Sequence, residues 1–503
     1  MPGGEIQLSG QGAQDLYLTG DPQLSYFKSV YVRYTYFACQ LITLDDDNNS
    51  NTLNEYSKSM LMTYKIPRNA DLLKEVYFQF TLPNIYSSAT KQFQWIRRLG
   101  EYIVEEARVV GGDSRIYNRI SSEYMHIHAE LNLPNSKKQE YYYNMGHIPE
   151  LYDPANSGNN RGIYPARPIP TNGDTGIPSI PSWTITVAIP FWFSLISGAA
   201  LPLIALQKMD FRIELLVRPL NYLYTVIDTN PLSPTFRTRI RPVSAGDFLN
   251  NFSPLARGGV LSSTAVRMWG NYVFLDREER KRFATTEHNY LMKQQQYFNL
   301  ETINNQNGIF NLDIRNINHP ITQFFFMARR LDNELTNQWS NFTLWEWDND
   351  ELSNPLAPGG SFSEYNNHFT LSSTTQGVNQ EIFTPDPITQ VELILNAVSR
   401  FDRTPNQYFR LNRASYNQSD NHQELSGIYV YSFALDNHKY QPSGTCNFSR
   451  FGKKELRLTF KNLNDLISTQ GQPYTRSYRV MFIAENINFF RVIGGMAGAE
   501  FEN

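Results

Sequence analysis

Two histidines separated by one residue, His126-Ile-His128, are the pair in this chain best suited by type to hold a metal ion. On a strand, imidazoles at that spacing share a face and need a more distant carboxylate to complete a divalent site. Here Glu130 follows too closely and Ile120 stands where a preceding glycine is expected. Ser121 to Leu131 also reads as a short helix or turn. We therefore expect a structural or surface role and no metal. Asp45-Asp-Asp-Asn-Asn-Ser50 offers oxygens to calcium but lacks the alternating acidic spacing and the distal bidentate glutamate, so it reads as a solvated hairpin tip. Gly494, Gly495 and Gly498 do not form a phosphate loop, because no Gly-x-Gly-x-x-Gly and no lysine followed by Ser or Thr accompanies them. A close-packed, flexible terminal tail is the expectation there.

Other groupings are weighed in the same way. Arg237, Arg239 and Arg241 alternate, so a strand would place them on one face able to grip phosphate or an acidic partner. A solvated linker is the simpler reading, with contact to a neighbouring subunit or minor protein as the alternative. Trp339, Trp345 and Trp347 could stack on sugars if exposed, but alternation continues through Phe342 and Leu344, which favours core packing. Glycosylation triplets begin at Asn48, Asn251, Asn341, Asn417 and Asn447, and no glycan is assigned to them. No serine, cysteine or lysine sits in a nucleophile context. The expected site residues are therefore none for catalysis, none for a cofactor and none for a metal. Cys39 and Cys446 are expected to be buried free thiols in a reducing compartment.

The elements that would position any site are strands. Val76, Phe78, Phe80 and Leu82 share one face, as do Trp183, Ile185, Val187 and Ile189, and Phe211, Ile213, Leu215 and Val217. Tyr429–Phe433, Leu456–Phe460 and Tyr478–Ile483 alternate likewise. Short helices are expected after Asp21-Pro22, with Leu24 and Phe27 on one face, and after Asp276, where Glu279 suggests a capping box. Residues 134–182 and 348–381 read as long loops rich in Pro, Gly and Asn. Ile189 to Leu206 is apolar, but Pro190 and Pro202 interrupt it, so it reads as buried strand and turn rather than a membrane span.

Composition agrees. Aromatic residues reach 14%, led by 32 Phe and 30 Tyr, which suits pleated sheets. A net charge of −3 lacks the positive field of a non-specific nucleic-acid binder. The start, Met1-Pro-Gly-Gly-Glu-Ile6, lacks the basic and apolar regions of a signal peptide. Both halves run strands, long loop, strands. The expected fold is all-β: two consecutive eight-stranded jelly rolls with long outer loops and few short helices. The expected divisions are 1–28 arm, 29–235 first jelly roll, 236–262 linker and 263–503 second jelly roll.

Several stretches resemble one family, the major capsid proteins of nucleocytoplasmic large DNA viruses. They are Gly12-Ala-Gln-Asp-Leu-Tyr-Leu-Thr-Gly20 with Pro22-Gln23 and Phe27-Lys28, then Pro190-Phe-Trp-Phe193 and Ala200-Leu-Pro-Leu-Ile-Ala-Leu-Gln207. The second half adds Leu275-Asp276, Glu279-Arg280, Phe283 and His319-Pro320. Ile428 to Leu435, Gln441-Pro-Ser-Gly-Thr-Cys-Asn-Phe-Ser-Arg450 and Ile493-Gly-Gly-Met-Ala-Gly498 follow in order. The resemblance implies a non-enzymatic shell subunit of a large double-stranded DNA virus, assembled in the host cytoplasm and residing in the virion capsid. It implies a homotrimer of pseudo-hexagonal outline that tiles an icosahedral lattice. Implied partners are minor capsid and penton proteins; sequence-specific nucleic-acid contact and a transmembrane segment are not implied, though an internal viral membrane lies close. A transient assembly scaffold of the same fold, a carbohydrate-binding jelly roll and a membrane protein are the alternative readings.

Overall fold

The computed structural model describes residues 3–29, 31–44, 58–87, 91–158, 160, 163–166, 177–232, 239–240, 266–304, 308–343, 369–371, 386–409, 427–437, 439–460, 466–468 and 477–501. Asp45–Ser50, Arg237, Arg241, Trp345, Trp347 and the triplets at Asn48, Asn251 and Asn417 lie outside them. So does most of the stretch 348–381.

In the first half the strands are β1 (Phe37–Leu44), β2 (Met60–Lys65), β3 (Leu72–Leu82), β4 (Lys91–Trp95), β5 (Val104–Gly111), β6 (Ile116–Ser121), β7 (Trp183–Ala188), β8 (Phe211–Val217), β9 (Tyr224–Asp228) and β10 (Arg239–Ile240). The strand β11 (Arg267–Leu275) completes this unit. Two four-stranded antiparallel sheets, β1-β11-β3-β7 and β2-β8-β5-β6, face each other, and β10-β9-β4 forms a smaller third sheet. Alternation explains the pairing. Phe211, Ile213, Leu215 and Val217 are buried while Arg212, Glu214 and Arg218 are only partly covered. They join Val76, Phe78 and Phe80 of β3 and Ile185 and Val187 of β7 in one core.

The second half contributes β12 (His288–Asn304), β13 (Ile309–Asp313), β14 (Pro320–Arg330), β15 (Phe369–Leu371), β16 (Ile388–Leu395), β17 (Val398–Pro405), β18 (Ile428–Ser432), β19 (Cys446–Asn447), β20 (Lys454–Phe460), β21 (Leu466–Ser468), β22 (Ser477–Ile493) and β23 (Met496–Ala499). The sheets β12-β22-β14-β18 and β13-β20-β16-β17 sandwich a second core of Leu312, Val391, Leu456, Phe324, Tyr429 and Phe482, among others. Strands β19 and β23 extend the first of these sheets, and β15 pairs with β21.

Several elements depart from the sequence reading. The strand β11 lies beyond residue 262, where the second unit was expected to begin, yet it is hydrogen-bonded between β1 and β3 of the first sheet. No helix follows Asp21: its φ of 49° is left-handed, whereas a helix N-cap needs extended backbone. Short helices sit instead at Gly3–Ser9 and Leu16–Thr19. The helix Arg277–Thr285 does form, but the Asp276 side chain makes no capping bond, and Arg280 turns to Asp71 at 2.9 Å. The stretch 134–182 opens with helices Asn135–Asn144 and Pro149–Tyr152. Ile189–Leu206 is a largely buried turn region carrying the short helix Trp192–Leu195. No described helix is long and apolar enough to cross a membrane.

The C-terminal glycines close a hairpin instead of forming a flexible tail. Ile493 pairs with Met496, and the two residues between, Gly494 and Gly495, have φ of 60° and 89°. Positive φ at both central positions is what a two-residue hairpin with right-handed strand twist requires. Gly427, at φ 88°, meets a harder constraint: a Cβ there would lie 2.0 Å from the Phe342 carbonyl oxygen. We expect Gly427→Ala to lower stability by about 1–3 kcal/mol. Equal urea midpoints for the variant and the parent would contradict this.

Cys39 is exposed and Cys446 partly so, and both are free thiols. Cys39 lies on β1, an edge strand with one neighbour, which leaves its outer side open to solvent.

Candidate functional site

Among the described residues, the geometry that bears on function is the joint between the two sandwiches and the surface that remains open. The joint is built on β12-β22-β14-β18, whose two faces are both covered. On β22, Tyr478, Val480, Phe482 and Ala484 line the second core, while Met481, Ile483, Phe490 and Val492 belong to the core shared with the first unit. Such strands read as continuous apolar runs because neither face meets water. Phe490 packs edge-on against Tyr117 at 5.6 Å between ring centroids and lies 5.3 Å from Trp192.

Hydrogen bonds then set the register of the two units. Asn118 Nδ2 donates to Gln295 Oε1 at 3.0 Å, and Gln294 Nε2 to the Tyr117 carbonyl at 2.9 Å. The Tyr297 hydroxyl accepts from Ser121 N and donates to the Arg119 carbonyl. Further along, Asn337 Nδ2 donates to the carbonyls of Asn221 and Tyr224, both at 2.8 Å, and Trp339 Nε1 to that of Tyr222 at 2.9 Å. The buried amide and indole N–H groups paired in this way fix one relative placement, with Oδ1 of Asn118 and of Asn337 left unpaired among the described residues.

A charged group closes the joint. Arg329, 1% exposed at the end of β14, reaches Glu123 of the first unit at 3.2 Å and Glu334 at 3.5 Å. Its guanidinium lies 5.1 Å from the Phe342 ring centroid and 5.5 Å from that of Trp339, which Arg218 also covers at 4.5 Å. Burial alone would raise the Glu123 pKa, but Arg329 and Arg218 hold it below the usual carboxylate range. Burial likewise works against the Arg329 charge, and Glu123, Tyr102 and Glu334 outweigh it. Inside the first unit, Arg98 meets Glu101 at 3.2 Å and also bonds Glu130, to which Lys138 adds a contact at 3.3 Å. This pins the helices Ser122–Asn132 and Asn135–Asn144 to the sandwich.

Beside the joint lies a cavity of about 500 Å³, lined from the first unit by Tyr77, Tyr124, His128 and Ser194 and from the second by Lys293, Tyr440 and Glu485.

Comparison with known proteins decides what this architecture is. The family "Major capsid protein N-terminus" matches residues 25–276, and "Large eukaryotic DNA virus major capsid protein" matches residues 279–498. The chain belongs to the major capsid proteins of large eukaryotic DNA viruses. It is 29% identical to the major capsid protein of Phaeocystis pouchetii virus and 27% identical to that of Paramecium bursaria Chlorella virus 1, with 100% of both chains covered in each case. Its fold is similar to the quasi-atomic model of the PBCV-1 virus capsid, with a TM-score of 0.66 at 21% identity over 95% of this chain and 100% of that one. The faustovirus major capsid protein superposes with a TM-score of 0.60 at 10% identity, over 96% of this chain and 94% of that one. The fold is the double jelly roll. This major capsid protein is a structural component of the virion that forms the shell of a large double-stranded DNA virus, and it is not an enzyme.

The groups singled out by type fall into structural surroundings. His126 and His128 lie on the helix Ser122–Asn132, where two positions apart means different sides. His126 Nδ1 is 3.0 Å from the Tyr102 hydroxyl, while His128 faces the cavity. Trp339 is buried at the joint, and Asn341 is wholly buried. Asn447 is exposed on β19. Of the arginine triplet only Arg239 lies on a described strand, the two-residue β10. Sequence reasoning missed Arg329, Glu123, Asn337 and Tyr117. One signal was present for Arg329: Phe324-Phe-Phe-Met-Ala-Arg-Arg330 is an apolar run too continuous for a half-exposed strand, ending in charges that must find partners.

The two histidines give the capsid protein a defined acid response. Burial holds the His126 pKa well below its ordinary value and brings that of His128 down to about 4. Between about pH 6.5 and 4 the unfolded chain binds protons there that the folded chain does not. Stability therefore falls as pH drops through that window. We expect His128→Asn to remove about 2–3 kcal/mol of that decline. Urea unfolding at pH 7 and pH 4.5 measures it, and an unchanged pH dependence would contradict the assignment.

Proposed function

We propose that three copies of this chain close into a capsomer of pseudo-hexagonal outline, and that these capsomers tile the icosahedral shell. The observation that supports this is the joint. Two eight-stranded sandwiches are locked side by side across a sheet buried on both faces, so each chain presents a rigid pair of similar tiles and three chains present six. A three-fold ring joins unlike surfaces head to tail and closes on itself. A permanent contact of that kind buries more than about 2,000 Å² in total. Minor capsid and penton proteins are the further partners, and assembly takes place in the host cytoplasm beside an internal membrane. The net charge of −3 favours a shell that encloses the genome without sequence-specific contact to it. We place the division between the two jelly rolls after Leu275, with an arm preceding β1, on the strand pairing of β11.

Light scattering on the purified chain tests the capsomer. A native mass near 174 kDa, three times 58.1 kDa, is expected. A mass of 58.1 kDa at concentrations up to those of crystallisation would overturn it.

A further inference from the structure

Every described residue from Gly3 to Tyr36 is exposed, and among the described residues the hydrogen bonds of its side chains stay within that segment. The segment is not polar. Tyr17, Leu18, Tyr26, Phe27, Tyr31 and Tyr34 are each at least 81% exposed. A monomer rarely leaves that much contiguous apolar surface in water unless something covers it. The arm enters the body through β1, an edge strand exposed along most of its length.

The same chain carries a cavity of matching character. The cavity beside the joint combines apolar wall, from Val76, Ile189 and Leu195, with tyrosine hydroxyls and both signs of charge. The Ser194 hydroxyl oxygen on its wall is shut away from solvent and has no hydrogen-bond partner among the described residues. An unpaired buried hydroxyl costs about 1–3 kcal/mol, so a segment that enters the cavity and lets the Ser194 side chain turn toward it recovers a hydrogen bond. Its volume of about 500 Å³ lies in the range that encloses aromatic groups of a bound segment.

We infer that the aromatic part of the arm, residues 24–36, seats in this cavity on a second copy of the chain. A second copy is the occupant because a shell surrounds each chain with copies of itself, and because the arm of the same chain contributes nothing to the cavity lining. From Phe37 back to Phe27 is ten residues, and extended chain spans up to about 3.3–3.6 Å per residue, so the aromatic cluster can lie ~35 Å from the edge of β1. Arm and cavity are different surfaces, so the contact is head to tail, the kind that closes a three-membered ring. The inference rests on the capsomer reading and names the contact that ties its members.

Photo-cross-linking tests it. Full-length chains carrying benzoylphenylalanine at Phe27, one half heavy-isotope labelled, are mixed, irradiated and mapped by mass spectrometry, with native mass measured on the same sample. Mixed-isotope cross-links from residue 27 to cavity-lining segments, such as 75–77, 194–196 or 437–440, are expected. Ser194→Trp, which fills the cavity from its wall, should lower their yield roughly tenfold, as when an anchor is excluded from its pocket. A 174 kDa species whose cross-links stay within one chain, or map elsewhere on the second, overturns the inference and leaves the capsomer standing. A monomer with no mixed-isotope product overturns both.

Discussion

Arg329→Ala is expected to destabilise the folded chain by about 3–5 kcal/mol, the range for removing one partner of a buried ion pair. The cost arises from what is left behind. Glu123 belongs to the helix Ser122–Asn132 of the first jelly roll and Glu334 to the turn after β14, and Arg329 bridges them. Without the guanidinium, the cations left near them among the described residues are the half-exposed Arg479, 3.1 Å from Glu334, and Arg218, 4.0 Å from Glu123, which also accepts from the Ser122 hydroxyl. The faces of Phe342 and Trp339 would also lose a cation, although Arg218 stays over Trp339. Arg329→Lys keeps the charge but not the fork that reaches two carboxylates, so an intermediate loss is expected. Urea unfolding followed by tryptophan fluorescence reads both variants. A loss below about 1 kcal/mol for the alanine variant would mean that water enters the joint and rescues the carboxylates.

Phe490→Ala should cost a similar amount, about 3–5 kcal/mol, by a different route. Phe490 is fully buried on β22, and its ring touches Tyr117 of β6, Phe211 of β8 and Trp192. Three neighbours from the first unit cannot all collapse into the space it leaves, because two are held on hydrogen-bonded strands. The cavity would lie between the jelly rolls rather than inside either one. The expected signature is therefore a change in cooperativity as well as in midpoint. A single unfolding transition should split in two as the rolls lose the apolar contact that makes them unfold together. Splitting without a shift of the earlier midpoint, or a shift without splitting, would separate the coupling role of Phe490 from its packing role.

Much of the fold was legible because period-two alternation reports a local fact: one face buried, the other not. Phe211–Val217 and Lys454–Phe460 follow that rule along their whole length. Tyr429–Phe433 and Tyr478–Ile483 were read by the same rule, yet Tyr429–Tyr431 and Val480–Ile483 are buried on both faces. Their second cover comes from the first unit, where Tyr124 of the helix Ser122–Asn132 packs on Phe325 of the adjoining β14, and no local pattern encodes it. The membership of β11 was hidden for the same reason, since pairing across the connection between halves leaves no trace in spacing. Asp21-Pro22 carried a local helix signal that backbone geometry overrode. Cys39 looked like a core thiol by residue type, but its strand has a neighbour on one side only. The charged joint was the least visible: Glu123, Arg218 and Arg329 are unremarkable until the fold brings them within 4 Å.

The insertion of β11 between β1 and β3 also sets a clock for synthesis. The first jelly roll cannot close its β1-β11-β3-β7 sheet until residue 275 is made, although β3 ends at residue 82. At about 5–20 residues per second, the intervening 193 residues take roughly 10–40 s. Throughout that interval the edges of β1 and β3 that await β11 stand open, each a template for another strand. Ribosomes following one another on a message for an abundant shell protein would hold many such edges close together, all of the same sequence. Making this protein at high level therefore places its demand on chaperones early, during translation of the first half, well before any shell begins to form.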